Sequence, residues 1–527
     1  MPATISMPST LTFGEDLARV IQSSAVAHNR RACFLATRDR DHALAVLKAI
    51  VRDCGQPLYH FSPAGRRRYD FDRQDWQAQG DNLLDGAGLL REAEALPEGG
   101  VVVVECCAAL LREEGGEARM RIRLAQMLSA EPAHNGVVLV FLEAPEAERY
   151  LPPMLADQFV RLEVPYPRAQ ELQTIARKEL ALALHRAHVC IGLDRVQREA
   201  DRLSNGLAGL TRSAARDALR DALAPAPQDF VGAFERLEAR KAAQLSRELA
   251  MNVLETTDVE MPIGLDRLVE YLAMTREQML LHGKQRARGI LLIGPPGTGK
   301  TMLARAIGKL VELPVVEFRI SALMNSLLGE TERRFAQAFA ALQAMSPNVV
   351  FIDEIEKAFG DPGGEHDGGT MMRVTGSLLS WLSDNEYPNY IVATSNSLKR
   401  MGEIGLTMTR SERFDCAFFV DVPTSESRRQ MLERWLEPHM PDFALAAKIL
   451  AERTARFSGA DLHSVVKQAV AEAAHNGNQI TLGILEGQAR RKRNRALALY
   501  DEFEGLRRWG RIYCDPAGDT EEGETNA

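Results

Sequence analysis

The stretch Gly289–Val311, GILLIGPPGTGKTMLARAIGKLV, decides how this chain is read. Its first residues, GILLI, are a short aliphatic run of the kind buried inside a parallel sheet. From Met302 onward the apolar residues recur at helical spacing. Between the two lies Gly294-Pro295-Pro296-Gly297-Thr298-Gly299-Lys300-Thr301, which fits the pattern G-x-x-x-x-G-K-[ST]. Glycines let successive backbone N–H groups turn inward around phosphate oxygens, and the helix N-terminus adds its dipole. Lys300 can then reach the β- and γ-phosphates, and the Thr301 hydroxyl can ligate Mg²⁺. Met302, in the first helical turn, is taken with these eight residues as part of the nucleotide contact. The implied ligands are ATP and Mg²⁺.

A second stretch supports this chemistry. NVVFIDE, Asn348–Glu354, reads as a strand lying beside the phosphate-loop strand. Asp353 at its end then faces the metal. Glu354, one residue further, is placed to orient and polarise an attacking water.

These residues resemble the AAA branch of the AAA+ ATPases, over about residues 261–480. The resemblance implies an α/β P-loop NTPase module: a parallel sheet with helices on both faces, followed by a helical lid. It also implies roles for further residues. In MPIGLDRLVEYL the backbone at Ile263 and Gly264 would line the adenine pocket. Asn396, in IVATSN, would hold the attacking water with Glu354. Arg410 and Arg413, in TRSERFD, would be arginine fingers donated to a neighbouring subunit, which implies a homo-oligomeric ring, commonly a hexamer. Gly459 and Ala460, in FSGADL, would pack near adenine. The chain departs from the family in placing Glu412, not glycine, before the second arginine. A narrower resemblance links GGTMMRVTGSLLSWLSDNE (Gly368–Glu386) and FEGLRRWGRIYCDPA (from Phe503) to the Ycf-type AAA ATPases, hypothetical reading-frame proteins of algal plastids and bacteria. Those proteins carry a divergent N-terminal half.

The N-terminal half of this chain fits that description. ACFLA, GVVVVE and GVVLVFLEA read as strands, with DHALAVLKAI and ARMRIRLAQML as helices between them. CFLATRDRDHAL, Cys33–Leu44, runs like a strand entering a helix, yet its junction has neither glycine nor lysine. The resemblance implies a degenerate nucleotide-binding domain, with that junction at the phosphate-loop position and VVVVECC at the metal-binding strand. The expected organisation is a degenerate α/β domain at 1–165, a helical lid-like subdomain at 166–224 and a linker helix at 225–260. The ATPase large subdomain follows at 261–424, its lid at 425–488, and a helical extension with a structureless acidic tail at 489–527.

Composition narrows the function classes. With 45% hydrophobic and 26% charged residues in 527, the chain is an ordinary globular protein. Its net charge of −8 offers no global reason to expect nucleic acid or a membrane surface as partner. The basic run RRKRNR from Arg490 has no interleaved aromatics and reads as a solvated helix face. No apolar run approaches a membrane span, and the N-terminus lacks a secretory signal. Seven cysteines without a CxxC pair suggest a reducing, cytoplasmic setting. No H-E-x-x-H occurs, and only His366 falls in the Gly-rich loop after Glu354, which excludes the zinc protease that some members of this branch carry. Leu327-Leu328-Gly329 stands where many such enzymes have a substrate-threading pore loop. Either threading or packing against a neighbour suits a leucine pair that lacks an aromatic face. Two functions therefore stand: an ATPase that remodels a protein client, or a slowly hydrolysing, ATP-gated oligomeric scaffold that recruits partners through its N-terminal half. A nucleic-acid motor fits the acidic balance poorly.

Overall fold

The computed structural model describes residues 13–27, 32–62, 65–80, 86–96, 100–105, 122, 124, 137–144, 159–256, 259–324, 330–359, 368–396, 413–476 and 479–519. The chain divides into two compact units, Met1–Glu238 and Ala239–Ala527, with the boundary inside the helix Phe230–Leu249.

The N-terminal unit is built on strands β1 (Ala32–Ala36), β2 (Leu58–Ser62), β3 (Gly65–Asp70), β4 (Asp75–Gly80), β5 (Gly100–Glu105), β6 (Val137–Glu143) and β7 (Phe159–Glu163). They lie in the order β4-β3-β2-β5-β6-β1-β7. The five strands β2, β5, β6, β1 and β7 run parallel, and β3 and β4 add an antiparallel hairpin at one edge. Unbroken runs such as GVVVVE arise because both faces are covered. Val101 and Val103 pack into one core with Leu35 and Leu47, while Val102 and Val104 pack into the other with Phe34 and Phe141. Helices Ala169–Arg186, Leu193–Asn205, Arg212–Leu223 and Phe230–Leu249 follow, and Leu172, Leu203, Leu219 and Leu237 share their own core.

The C-terminal unit repeats the plan. Its strands are β8 (Met251–Leu254), β9 (Gly289–Ile293), β10 (Val315–Phe318), β11 (Asn348–Ile352), β12 (Asn389–Ser395), β13 (Cys416–Phe419) and β14 (Asp515–Pro516). They lie in the order β14-β13-β9-β12-β11-β10-β8, all parallel except β8. Numbered by chain position within each unit, the five central parallel strands of both sheets read 5-1-4-3-2. After β13 the helices Ser425–Leu436, Phe443–Arg453, Gly459–His475 and Leu482–Glu502 share a core around Leu432, Leu450, Val465 and Leu485, and the helix Glu504–Tyr513 follows them.

The expected α/β sheets and both helical bundles are present, with five differences. The strand ending before Asp353, β11, does not adjoin the phosphate-loop strand β9 as expected, because β12 lies between them and pairs with both. β2 (LYHFS) and β7 (FVRLE), whose apolar residues are interrupted by polar ones, also belong to the N-terminal sheet. The hairpin β3–β4, GRRRYD and DWQAQG, has largely exposed side chains and no apolar alternation to mark it. The linker helix stops at Leu249 because Ala250 adopts a left-handed backbone (φ 54°), and Met251–Leu254 becomes an edge strand. The tail expected to be structureless from Asp515 instead begins as β14, paired to β13, with Ala517 fully enclosed. The proposed helix Ala118–Leu128 lies outside the described residues apart from Ile122 and Leu124, as do Cys106, Cys107, the Leu327-Leu328-Gly329 segment, His366 and Arg410.

At the N-terminal ends of β11 and β12 three asparagines interlock. Buried Asn389 donates to the Leu342 carbonyl (2.8 Å) and to Asn348 Oδ1 (3.1 Å), and accepts from Asn385 Nδ2 (3.0 Å). Replacing Asn389 by leucine removes the partner of the enclosed Asn348 Oδ1 and Asn385 Nδ2, while the Leu342 carbonyl keeps its bond from Asn348 Nδ2 (3.1 Å). We expect Asn389→Leu to lower the unfolding free energy of the C-terminal unit by about 1–3 kcal/mol in urea titration.

Candidate nucleotide site

The site forms where the parallel strands of the C-terminal sheet end, the usual place for a ligand in an open α/β sheet. The loop Gly294–Gly299 leaves β9 and runs into the helix Lys300–Val311. Gly297 (φ 82°) and Gly299 (φ 88°) take left-handed conformations that turn the loop back on itself. Inside that turn Lys300 is 6% exposed, and its ammonium donates to the carbonyls of Gly294 (2.9 Å) and Pro295 (2.7 Å). Burial pulls the Lys300 pKa down to about 8, against the partial support of Asp353, Glu356 and Glu354.

Asp353 follows β11 and lies beside this helix. Its Oδ2 accepts from Thr301 Oγ1 at 3.3 Å, and its Oδ1 accepts from Thr394 Oγ1 at 2.6 Å. Thr394, fully buried in β12, also accepts from the Glu354 backbone N–H (3.0 Å). Glu354 has φ 50°, and its carboxylate pairs with Lys357. Asn396 follows β12; its N–H donates to Glu356 Oε1 (3.0 Å), while its own Oδ1 and Glu356 Oε2 are enclosed without a partner among the described residues.

A cleft of about 1550 Å³ opens over these groups, ample for a nucleoside triphosphate. Pro296–Met302, Asp353, Glu354 and Asn396 line it, together with Ile263, Gly264, Gly459 and Ala460. Gly264 needs its left-handed backbone (φ 76°), since a Cβ there would meet Ser427 Oγ at 2.3 Å. Ala460 N–H donates to the Gly297 carbonyl (3.0 Å), so the lid helix touches the phosphate loop directly. Ser458 and Asp461 form a capping box that starts this helix at the required place.

Arg413 does not line the cleft. It precedes β13, at the end of the sheet opposite the phosphate loop. Sequence reading missed several lining residues: Trp435 and His463, whose rings meet edge-on at 5.2 Å, Asp421, and residues of the C-terminal helix and β14. Thr394 and Glu356 were missed as well. Glu356, two residues after Glu354, had a signal in its position; Thr394 had none.

Residues 290–422 match the sequence model of the ATPase family associated with various cellular activities (AAA). This segment is an AAA ATPase domain. The chain is 31% identical over 224 residues to the AAA domain-containing protein ycf46 of Trieres chinensis, covering 41% of this chain and 44% of that protein. With the ycf46 protein of Guillardia theta it shares 26% over 369 residues, covering 68% and 70%. With the peroxisomal ATPase PEX6 of Arabidopsis thaliana it shares 31% over 264 residues, covering 47% and 27%. The chain thus spans less than half of the Trieres protein and more than two thirds of the Guillardia one. Among the described residues no helix is long and apolar enough to cross a membrane.

The N-terminal unit closes the same strand order differently. Only three residues, Thr37–Asp39, join β1 to the helix Arg40–Asp53, against six in the AAA domain. Thr37 N–H bonds to the carbonyl of Glu143 as Gly294 N–H bonds to that of Ser395, which aligns the two sheets and places Glu105 at the position of Asp353. Arg40 grips Glu105 in a bidentate pair (2.7 and 3.0 Å), with His60 Nε2 3.0 Å away. Burial pushes the Glu105 carboxyl up, but His60 and Arg40 outweigh it and hold it below its usual range. Asp39, 4% exposed, accepts from the backbone N–H groups of Arg212 (2.8 Å) and Ser213 (2.9 Å), from the Arg212 guanidinium (3.3 Å) and from the Ser213 hydroxyl (3.0 Å).

The Lys300 environment gives a signed pH dependence. Below about pH 8 the ammonium is charged. A triphosphate beside it raises its pKa, so binding above pH 8 must take up protons, and affinity must fall as pH rises. Calorimetry of ATP binding at pH 8.5 in two buffers of different ionisation enthalpy should show this net uptake.

Proposed function

We propose that the C-terminal unit binds ATP with Mg²⁺ in this cleft and hydrolyses it, and that a homo-oligomer uses the cycle to remodel a protein client. The observation that carries the reading is the buried Lys300 in a glycine-turned loop, facing the Thr301–Asp353 oxygen pair. The donor set fits a hard divalent cation: Thr301 and Asp353 offer two oxygens already side by side. When bound there, Mg²⁺ would neutralise charge on the β- and γ-phosphate oxygens.

The chain's own groups account for the remaining work. Backbone N–H groups of Gly297–Thr301 and the Lys300 ammonium hold the phosphates. Asn396 Oδ1, enclosed and without a partner among the described residues, accepts a hydrogen bond from the attacking water, and Glu354 accepts its proton. Glu354 must first leave Lys357, so that pairing restrains turnover until nucleotide is seated. Ile263, Gly264, Gly459 and Ala460 bound the base. Arg413, remote from its own phosphate loop, can serve only the site of a neighbour, with Arg410 three residues before it in the chain.

The N-terminal unit, in this reading, binds no nucleotide. Its three-residue junction has too few N–H groups to cradle phosphate. Arg40 neutralises the Glu105 carboxylate without a metal, and the Asp39 carboxylate sits on the lid helix without a ligand. A unit so closed by its own charges suits partner recruitment, which is the observation favouring the scaffold alternative.

Glu354→Gln should retain ATP binding while slowing turnover about 10²–10⁴-fold, measured by phosphate release. Equilibrium dialysis of the full chain should give one ATP per chain, and none for Lys300→Ala. A client that stimulates turnover selects the remodeller. Slow turnover that no added protein changes, with ATP-dependent assembly measured by particle mass, selects the scaffold.

A further inference from the structure

The C-terminal motif FEGLRRWGRIYCDPA ends far from the phosphate loop in sequence, yet its residues form a wall of the same cleft. Cys514, Ala517 and Gly518 all line it. The helix Glu504–Tyr513 and β14 are fixed to the AAA domain at four points. Arg507, 2% exposed, donates to Asp421 Oδ1 (3.0 Å) and lies 3.4 Å from the centre of the Tyr500 ring. Gly510 lies against the ring of Phe419, where a Cβ would come within 2.2 Å of the ring. Strand β14 pairs with β13 through Phe418–Asp515 and Phe419–Pro516. Ala517 then bridges two segments: its N–H donates to the Phe419 carbonyl (3.1 Å), and its carbonyl accepts from the Leu268 N–H (3.0 Å).

That last bond satisfies a free donor in the first turn of the helix Asp266–Thr275, the helix entered from the Ile263–Leu265 loop. Gly518 continues the contact, with its backbone so close to the Gly264 carbonyl that a Cβ would lie 1.8 Å away. Arg507, for its part, holds Asp421, and Asp421 and Thr424 line the cleft on the same side. Two loops far apart in sequence thus form the base end of the site, and one C-terminal segment ties both.

We propose that Leu506–Gly518 is a positioning element of the nucleotide site, a strap that holds the Ile263–Leu265 and Asp421–Thr424 loops where the base binds. The proposal rests on the reading of this cleft as the ATP site and extends it to residues outside the AAA-domain match. Strap docking and nucleotide binding are then linked, and each strengthens the other. The strap touches neither Glu354 nor Asn396, so its loss must appear in KM and leave kcat nearly unchanged.

The test uses the full chain and a fluorescent ATP analogue. Gly518→Val drives a side chain into the Gly264 carbonyl and should weaken binding and raise KM by about tenfold or more, at a kcat near that of the parent. Gly505→Ala, in the same helix but one residue before the strap and with open space around its Cβ, should change neither. Hydrogen exchange on the unaltered protein gives a reading that needs no variant. The amides of Leu268 and Ala517 should exchange several-fold more slowly with ADP bound, and should not respond to ADP in Lys300→Ala. Normal affinity and KM in a folded Gly518→Val, or no protection of those amides by ADP, overturns the strap. If Gly518→Val does not fold, the exchange measurement decides alone. No nucleotide binding by the unaltered protein overturns the ATPase reading, and the strap with it.

Discussion

An ammonium sealed under a loop of backbone is the constraint that organises the C-terminal unit. Lys300 is buried, and its ammonium donates chiefly to carbonyl oxygens of its own loop, so its charge is under-compensated. A multivalent anion is what such an arrangement lacks. The surrounding structure keeps it so. Glycines at 297 and 299 permit the turn, β9 is buried on both faces and fixes where the loop begins, and the capped helix from Gly459 fixes how closely the lid approaches.

The N-terminal unit shows the same sheet relieved of that tension. Its five central strands follow the same order, and its loop, metal-side strand and third lid helix meet in the same topology. Here the charges cancel within the chain. A guanidinium meets the strand-end carboxylate, and a carboxylate meets the lid helix N-terminus and its arginine. With a junction three residues shorter than the phosphate loop, and with Asp39 and Arg40 in it, this unit carries internal ion pairs where the AAA domain carries its cleft. Removing Arg212 would strand the buried Asp39 carboxylate, whereas Arg40 is half exposed and its loss would leave Glu105 beside His60.

What could be read from residues alone follows from how local the physics is. The phosphate loop was legible because strand, turn and helix signals are contiguous from Gly289 to Val311, and Asp353 and Glu354 because they end an aliphatic run. Arg40 and Asp39 were visible as the absence of glycine and lysine. Glu105 was placed as well, since VVVVECC was read as the metal-side strand, but neither its pairing with Arg40 nor that of Asp39 with Arg212 was legible, because those partners are distant in sequence. Thr394 was hidden for a different reason: a threonine inside a β-branched strand looks like a packing residue, and only pairing with β11 brings it to Asp353. The hairpin β3–β4 and the strand β8 are edge elements, whose exposed or half-exposed faces free them from the alternation that marks a central strand.

The strap illustrates the hardest case. DPAGD is short, polar and rich in small residues, which by composition reads as a frayed terminus. Smallness is what allows it to serve. Gly510 and Gly518 let backbone approach an aromatic ring and a carbonyl more closely than any side chain permits, and Ala517 fits an enclosed position between two backbone hydrogen bonds. Composition reports how much apolar area a segment can bury, and by that measure this one has little to offer. It is held instead by backbone bonds to β13 and to the start of the helix Asp266–Thr275, contributions that no side-chain pattern records.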